Sequence, residues 1–315
     1  MIQTEQKYIE ILLILKEHNE PLGAKRLSEM LAERGYIMTD RAVQYYLRYL
    51  DNQGFTAKVG NHGRVLTETG FQETERALVD SRVGYIISHL EHLAYKSTFN
   101  PETGIGDVAY NLTVFPEKAA HAVEKAFSKV QKTNIGFFDG FCLVDDHPAI
   151  SDGQLGAMTI CSITMDGVLQ QNGIPTTIAY GGRLEVKSGT PTAFADLIGY
   201  KGCTIDPLLL FLSSGLTSIE SYLETGTGTV LANIRQAPKV VEAEINEICK
   251  QMHQCGFSLP IYSGKGDVFR YRADPYRLSL IQYSGMNFVG YAKEQGLPIK
   301  TEIGAGTIPF SKIAK

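Results

Sequence analysis

Side chains able to read a nucleic acid lie along one segment, residues 39–54. Four of them share one helical face at i, i+3, i+4, i+7 spacing: Arg41, Gln44, Tyr45, Arg48. The other face repeats hydrophobic residues at the spacing of a buried stripe: Val43, Leu47, Leu50. Arg and Gln can donate hydrogen bonds in pairs to base edges in a DNA major groove. The alternative is a solvated face of an ordinary amphipathic helix, so the neighbouring elements must decide.

Those neighbours predict a winged helix-turn-helix domain over residues 1–70. Helical patterns over 3–18 and 23–35 precede the segment, and short strands over 55–59 and 64–67 follow it. The strands flank the turn Gly60–Gly63, where Gly and Asn tolerate positive φ. Thr39 or Asp40 would cap the third helix, and Gly54 would end it. Three helices followed by a hairpin are typical of DNA-binding modules.

The predicted DNA contacts combine the third helix with basic residues of the second helix and the wing. They are Lys25, Arg26, Thr39, Arg41, Gln44, Tyr45, Arg48, Lys58, His62 and Arg64. Residues 1–70 carry nine Lys+Arg and nine Asp+Glu, so attraction to phosphates requires that the charges be segregated on one side. A winged helix used for protein interaction is the alternative.

The composition sets the class of protein. A chain of 315 residues with 43% hydrophobic residues and a net charge of −4 can form two or more packed domains. Five cysteines, an odd number, argue against a disulfide framework. The sequence contains neither a signal-peptide pattern nor an apolar run long enough to span a membrane. We therefore expect a cytoplasmic protein.

A linker is predicted over residues 71–112. Its helix carries hydrophobic residues at alternating four- and three-residue steps: Val79, Val83, Ile86, Leu90, Leu93. This spacing fits a dimer seam or a helix packed on its own domain, and the sequence does not choose between them. The stretch Lys96–Thr113, with one proline and two glycines, is the expected boundary loop.

Residues 113–315 have the Gly-rich, β-branched texture of a mixed α/β domain. Phe115-Pro116 opens a helical pattern that runs to Gln131, and Ala237-Pro238 opens a similar one that runs to Gln254. Gly-x-Pro turns recur at Gly173 and Gly296, so the offsets are 122 and 123 residues. An internal duplication and a chance repetition of loop residues both fit these few identities. Two copies packed about a pseudo-twofold axis would enclose a cleft for a small ligand.

Candidate ligand-binding residues come from glycine turns and arginines of this domain. Two Gly-x-Gly-Thr segments could cradle a carboxylate or phosphate with their free amides, although two hairpin turns are the simpler explanation. Arginines add planar donors suited to a carboxylate. The predicted effector-binding set is Gly181, Gly182, Arg183, Gly226, Gly228, Thr229, Arg270, Arg272, Gly304, Gly306 and Thr307. Substituting Arg183 or Arg270 by Ala is expected to abolish the effector response.

Two further groups have residue types suited to metal binding or catalysis but not the spacing. An acidic loop contains Asp139, Asp145, Asp146, His147 and Asp152, and a helix end contains Cys249, His253 and Cys255. Neither matches a metal-ligand pattern, and no nucleophile with an adjacent base is visible. We predict no metal, no catalytic residue and no cofactor other than a small-molecule effector.

Three motifs together with the winged helix carry a family resemblance. They are GGRLEV at 181–186, YKGCTIDPLLLF at 200–211 and GTGTVLANIRQAP at 226–238. The chain resembles, over nearly its whole length, the NrpR family of nitrogen-regulatory transcriptional repressors. The resemblance implies a homodimer or higher even oligomer that represses nitrogen-assimilation genes from inverted-repeat operators, with 2-oxoglutarate as the inducer. Archaeal members often carry two regulatory domains, whereas this chain has room for one.

The sequence thus predicts an α+β chain in which an N-terminal winged helix-turn-helix precedes a mixed α/β regulatory domain, with the duplication left open. Its expected function is transcriptional regulation through double-stranded DNA, controlled by a small anionic metabolite. The alternatives are a small-acid-processing or metal-dependent enzyme centred on Asp145, Asp146 and His147, and a protein-interaction adaptor.

Overall fold

The computed structural model describes residues 2–18, 20–81 and 85–314, without the side chains of residues 2–6, 75–81 and 85. The chain divides into two compact units, Met1–Val83 and Gly84–Lys315. The second unit includes residues 85–112, which the sequence assigned to a linker, because a helix and a long strand of this stretch pack within it.

The first unit is a winged helix. Its elements are α1 (Ile2–His18), α2 (Ala24–Glu33), α3 (Asp40–Asn52), β1 (Thr56–Val59), β2 (Gly63–Leu66) and α4 (Glu68–Ser81). The first three helices share one core with the predicted stripe of α3, since Val43, Leu47 and Leu50 are buried. The side chain of Thr39 caps α3 by accepting from the Ala42 amide at 3.3 Å. The predicted third helix, its cap and its inward face are thereby confirmed.

The wing is an antiparallel hairpin in which β1 pairs with β2 and Lys58 lies opposite Arg64. The main chain of Arg64 also exchanges two hydrogen bonds of 3.0 Å with Leu22, which attaches the wing to the segment before α2. Gly63 has a φ of 133°, and a Cβ there would lie 2.3 Å from the Leu22 carbonyl carbon. Only glycine permits this approach, so the hairpin glycine fixes the wing to the helical core.

The second unit contains sixteen longer elements. They are α5 (Tyr85–Lys96), β3 (Asp107–Pro116), α6 (Ala120–Gln131), β4 (Phe141–Val144), β5 (Gln154–Ile160), α7 (Ile163–Gln171), β6 (Thr177–Lys187), β7 (Thr190–Gly199), α8 (Pro207–Ser213), α9 (Ile219–Thr225), β8 (Gly228–Pro238), α10 (Glu242–Gln254), β9 (Tyr262–Gly264), β10 (Arg277–Tyr283), α11 (Met286–Glu294) and β11 (Lys300–Pro309). Short 3₁₀ helices occupy Glu117–Ala119, Lys239–Val241 and Phe310–Lys312.

The duplication is present. The first copy runs from β3 through α6, β4, β5 and α7 to β6, and the second runs from β8 through α10, β9, β10 and α11 to β11. Each copy gives its last strand to the other's sheet, so the strand orders are β11-β3-β5-β4 and β7-β6-β8-β10-β9. This exchange ties the copies into one unit and places the middles of β3 and β8 next to strands of the opposite copy.

Several local predictions differ from the structure. The stretch Ile135–Val144 predicts a strand, but only its end forms one, β4. Residues 135–138 are instead a buried loop that pairs with the loop after α10. The second Gly-x-Gly-Thr segment is not a turn: residues 304–307 lie inside β11, where the register shifts between Glu302 and Gly306. In the first segment, Gly226 ends α9 with a φ of 69°, and Gly228 already belongs to β8.

The described residues of the predicted linker helix belong to α4 and α5. Of the proposed seam, Val83 and the side chain of Val79 lie outside the described residues. Leu90 and Leu93 are buried in a cluster with residues of β3 and of the loop before α7. Within the described residues, α5 is therefore a helix packed on its own unit, one of the two alternatives that the sequence left open. No described helix is long and apolar enough to cross a membrane.

Candidate functional site

The outward face of α3 is the best-formed candidate surface of the first unit. All four of its predicted base-reading side chains are exposed: Arg41, Gln44, Tyr45, Arg48. Tyr45 is 68% exposed, which is high for an aromatic side chain. The buried stripe Val43, Leu47 and Leu50 lies on the opposite face of α3, so these polar side chains point away from the core. The first turn of the helix contains one acidic residue, Asp40.

The other predicted DNA contacts have different surroundings. Lys58 and His62 are exposed on the wing, and Lys25 and Arg26 are exposed on α2. Arg26 forms an ion pair with Glu29 at 3.2 Å on the surface. The guanidinium of Arg64 instead pairs with Asp51 at 3.0 Å, and Asp51 also accepts from Thr56 at 2.6 Å. Arg64 thus joins the wing to the end of α3, and Thr39 is occupied as the cap.

The eleven predicted effector residues do not converge on one place. Gly181, Gly182 and Arg183 lie on β6 opposite residues 231–233 of β8, and Thr229 lies further along the same pairing. Gly304, Gly306 and Thr307 belong to the other sheet. Arg270 and Arg272 are exposed in the loop between β9 and β10, and Arg270 has a φ of 59°.

Packing accounts for several of these residues. A Cβ at Gly181 would lie 2.9 Å from Pro207, and one at Gly182 would lie 2.6 Å from Leu197. A Cβ at Gly228 would lie 2.3 Å from the Ser218 carbonyl oxygen. Arg183 pairs with Asp196 and donates to the Leu216 carbonyl at 2.7 Å. These contacts hold strands and helices together.

A small cavity lined by both polar and apolar residues lies where the two copies meet. Its volume is about 20 Å³, room for one water molecule. Equivalent positions of the copies face it in pairs: Asn111 with Asn233, Cys161 with Ser284, and Ile163 with Met286. The last two pairs begin α7 and α11, which are nine residues long. The cavity therefore receives the N-terminal ends of two helices, where the helix dipole favours negative charge.

One lining residue of this cavity, Arg235, belongs to a buried ion pair. Arg235 of β8 is 1% exposed and donates from Nε to Asp166 of α7 at 2.7 Å. The same guanidinium donates to the Ser162 carbonyl at 2.7 Å and to the Gln282 side chain at 3.4 Å. Thr176 donates a further hydrogen bond to Asp166 at 2.9 Å. A buried charge pair needs such additional partners to offset the loss of hydration.

Asp206 and Tyr200 also line this cavity, on the segment between β7 and α8. Asp206 caps α8 by accepting from the Leu208 amide at 2.8 Å. Burial raises the pKa of Asp206 to about 6, against hydrogen bonds from amides and Tyr200 that lower it. Burial also raises the pKa of Tyr200, so this hydroxyl stays protonated and can donate. It lies 3.4 Å from the Asn233 side-chain oxygen.

None of the predicted effector residues lines the cavity. The polar residues that do line it were not predicted from the sequence. One sequence signal points to two of them. Asn111 and Asn233 each interrupt an apolar strand five residues before a proline, at the same offset of 122 that defines the duplication. A polar residue repeated inside two buried strands needs a partner, and here both face the cavity.

The residue groups considered for metal binding do not form a metal site. Among residues 2–18, 20–81 and 85–314, no three His, Cys, Asp or Glu side chains are grouped closely enough to hold an ion. His147 instead contacts the Tyr110 hydroxyl at 2.9 Å, and Cys249 is buried in the core.

Comparisons with known proteins decide the family. Residues 83–315 match the family model described as "NrpR regulatory domains NRD1 and 2". The chain belongs to the NrpR family. Its regulatory unit is thus of a class that regulates rather than catalyses, which removes the enzyme alternative. Residues 9–74 match a model described as the Ribonuclease R winged-helix domain.

Some relatives in the NrpR family are about as long as this chain, and others are about twice as long. The Global nitrogen regulator NrpRI of Methanosarcina mazei is 34% identical over 95% of this chain and 94% of its own length. The Global nitrogen regulator NrpR of Methanococcus maripaludis is 33% identical over 77% of this chain but only 43% of its own length. A nitrogen repressor-like protein from Methanococcus jannaschii shares the fold, with a TM-score of 0.63, 23% identity and coverage of 72% of this chain and 96% of that one.

Proposed function

We propose that this NrpR-family chain is a sequence-specific transcriptional repressor of nitrogen-assimilation genes whose affinity for DNA is lowered by a small dianionic metabolite such as 2-oxoglutarate. The observation that carries the DNA-binding part is the exposed face of α3, with Arg41, Gln44, Tyr45 and Arg48 pointing away from a fully buried stripe. The names of the relatives, which are global nitrogen regulators, support the choice of genes.

The DNA contacts divide into two kinds. Arg41, Gln44 and Arg48 lie on successive turns of α3, where side chains of a recognition helix reach base edges. Lys58 and His62 on the wing and Lys25 on α2 are exposed cations or potential cations that suit phosphates. Two copies of the module in a homodimer would read half-sites of an inverted repeat one helical turn apart.

The effector is proposed to bind in the cavity between the copies. A dicarboxylate would be recognised there by the N-terminal ends of α7 and α11, by the amides of Asn111 and Asn233, and by Arg235. A volume of about 20 Å³ is too small for such a molecule, so a wall must move when it enters. An occupied, open form and an empty, closed form are the two states that an effector needs in order to shift DNA affinity.

Fluorescence anisotropy tests the whole proposal. The purified chain is titrated onto labelled DNA from the region upstream of its own gene, at two salt concentrations, with and without 2-oxoglutarate. We expect specific binding that weakens with salt and is released by 2-oxoglutarate. Binding that ignores 2-oxoglutarate would reject this effector. Absence of binding at both salt concentrations would favour the adaptor alternative.

Arg48→Ala tests the reading face. If Arg48 contacts a base, the variant loses specific affinity by about 1–3 kcal/mol and discriminates less between operator and random DNA. Lys132→Ala is the matched control, since it removes an exposed cation from the second unit. Equal losses on operator and random DNA would instead make Arg48 a phosphate contact.

Arg183→Ala and Arg270→Ala separate the cavity from the residues predicted from sequence. The sequence-based expectation is loss of the effector response in either variant. The cavity proposal expects a preserved response in both, because neither side chain lines the cavity. The midpoint of DNA release against 2-oxoglutarate concentration distinguishes the two.

A further inference from the structure

Helix α5 contributes to the lining of this cavity, and it is the first described element of the regulatory unit. Leu90 of α5 lines the cavity, and Leu93 and Ala94 of the same helix are buried beside it. The helix packs on α7, β3 and β11, which are three of the elements that surround the cavity. Only residues 82–84 separate α5 from α4 of the DNA-binding unit.

One peptide of β11 connects α5 to a polar side chain of the cavity. The amide of Gly304 donates to the side-chain oxygen of Asn111 at 3.2 Å. The carbonyl of the same residue accepts from Nε2 of His89, on α5, at 2.8 Å. A carbonyl cannot donate, so Nε2 carries the proton in this contact. Any ligand that takes over the Asn111 side chain therefore acts on the residue that holds α5.

The backbone at Gly304 explains why α5 can come so close. Gly304 lies in the irregular part of β11 with a φ of 62°. A Cβ at this position would lie 2.6 Å from Cδ1 of Leu93. Both the left-handed conformation and the close approach require glycine. Gly304 was predicted to belong to an anion-binding turn, but in the structure it contacts α5.

We propose that α5 is the element through which the cavity controls DNA binding, and that Asn111, Gly304 and His89 are the residues that couple them. This rests on the proposed effector cavity. A dicarboxylate that enters accepts a hydrogen bond from Nδ2 of Asn111, which now donates to Thr159 at 3.3 Å. The Asn111 side chain turns toward the ligand, so that its Oδ1 no longer accepts from the Gly304 amide, and α5 is displaced from β11. The displacement of α5 lowers the affinity of the chain for DNA.

Cys161 provides a reporter of this movement. Its thiol lines the cavity, is 6% exposed, and has a pKa raised by burial to about 12. Reaction of Cys161 with N-ethylmaleimide therefore requires opening of the cavity. Cys255, which is partly exposed and lies outside the cavity, serves as an internal reference.

The first experiment measures alkylation of Cys161 in the full chain by peptide mass spectrometry, relative to Cys255 and without added ligand. We expect His89→Ala to react about fivefold faster than the unmodified chain, the factor that corresponds to one net hydrogen bond. Gly304→Ala should react faster still, since its methyl group pushes against Leu93. His92→Ala, an exposed histidine of the same helix, is the matched control and should react like the unmodified chain. Equal rates in all four proteins would overturn the proposal.

The second experiment measures the 2-oxoglutarate concentration that releases half of the bound DNA. A helix that is already loosened lowers the cost of opening, so His89→Ala should need about fivefold less effector than His92→Ala. Faster alkylation of Cys161 together with unchanged release midpoints would overturn the coupling. Circular dichroism of each variant checks that the helices are retained.

The outcomes separate this inference from the proposed effector. If 2-oxoglutarate does not release DNA from the unmodified chain, that effector is wrong. The coupling is then judged from DNA affinity alone. Weaker DNA binding by Gly304→Ala than by His92→Ala supports it, and equal binding rejects it.

Discussion

The two copies within the regulatory unit use the same device to attach a helix to a strand. In the first copy the amide of Cys161 donates to the Ala109 carbonyl at 2.8 Å, and the Thr164 hydroxyl accepts from the Ala109 amide at 3.0 Å. In the second copy Ser284 and Asn287 do the same for Leu231, at 3.1 and 2.8 Å. In each copy, the backbone N–H and C=O of one residue in the first strand are therefore hydrogen-bonded to the start of the second helix.

The copies differ at the next positions along these elements. Asp166 of α7 is replaced in α11 by Val289, and Arg235 of β8 is replaced in β3 by Thr113. The first copy thus supplies the anionic residue, Asp166, and the second copy supplies the cationic residue, Arg235, of a single buried ion pair. The segment after β6 also forms β7, α8 and α9, which bring Tyr200 and Asp206 to the cavity, whereas the described residues after β11 form only a short 3₁₀ helix.

A symmetric scaffold thus acquires an asymmetric site. The paired backbone contacts fix the ends of α7 and α11 in equivalent places, so each copy contributes one helix N-terminus. The unequal side chains then place two charged residues at the cavity, Arg235 and Asp206, which the opposite copy does not match with a charge of its own. A metabolite whose two ends are not identical needs such a difference in order to bind in one orientation.

The largest expected effect comes from breaking the ion pair that joins the copies. Asp166→Ala leaves Arg235 buried without its anion, which should cost about 3–5 kcal/mol of stability. Urea unfolding of the full chain measures the loss. The control restores the residue types of the opposite copies in one protein: Asp166→Val with Arg235→Thr removes both charges. The double variant should be clearly more stable than Asp166→Ala. If it is not, the pair does not account for the loss.

The next effect concerns Asp206, which only the first copy's extension provides. Burial raises its pKa from 3.8 to about 6, so the folded chain holds a proton that the unfolded chain releases. The stability from protonated Asp206 is complete below pH 3.8 and is lost as pH rises through 6. Asp206→Asn cannot ionise and retains an acceptor for the Leu208 amide. Its stability relative to the unmodified chain should therefore rise with pH, by roughly 3 kcal/mol between pH 4 and 7.

Urea midpoints at pH 4.5, 5.5 and 7 measure this difference. Parallel curves for the two proteins would show that Asp206 does not bind a proton more tightly in the folded chain.

Much of this scaffold could be predicted from the sequence, for identifiable reasons. The stripe Val43, Leu47 and Leu50 and the cap at Thr39 depend on local spacing, and local spacing is visible in a sequence. The helices ending at Gln131 and Gln254 were placed by their repeated proline starts. The exchange of β6 and β11 between sheets could not be predicted, because it depends on pairing between strands of different copies, β6 with β8 and β11 with β3.

The site was predicted less well than the fold. Gly304 was assigned to a ligand as part of a Gly-x-Gly-Thr turn, and Gly181 and Gly182 were assigned as neighbours of Arg183. The missing Cβ atoms of these glycines instead make room for neighbouring side chains. Arg235 was overlooked because an arginine inside an apolar strand has no local signature. Its meaning depends on Asp166, which is 69 residues away in the sequence.

A smaller effect tests the shared device itself. Asn287→Ala removes three hydrogen bonds, to both groups of Leu231 and to the Ile135 carbonyl, and should cost about 2–3 kcal/mol. Thr164→Ala removes the contact with Ala109 and should cost about 1 kcal/mol. Urea unfolding of both variants compares them. Equal costs would mean that the copies rely on the device to the same extent, in spite of their different side chains.

The smallest effect is expected at Arg183, the arginine that sequence reasoning placed at the effector site. Its counterpart in the second copy is Gly306, so the duplicated scaffold does not require a cation at this position. Arg183 pairs with Asp196, whose side chain is 48% exposed, and water and salt weaken such pairs. Arg183→Ala should therefore change stability by about 1 kcal/mol or less and leave the 2-oxoglutarate midpoint of DNA release unchanged. Asp196→Ala should match it in both measurements if the pair is the reason for the arginine. Loss of the effector response in Arg183→Ala alone would return this arginine to the ligand site and move that site from the centre of the copies to the β6–β7 edge.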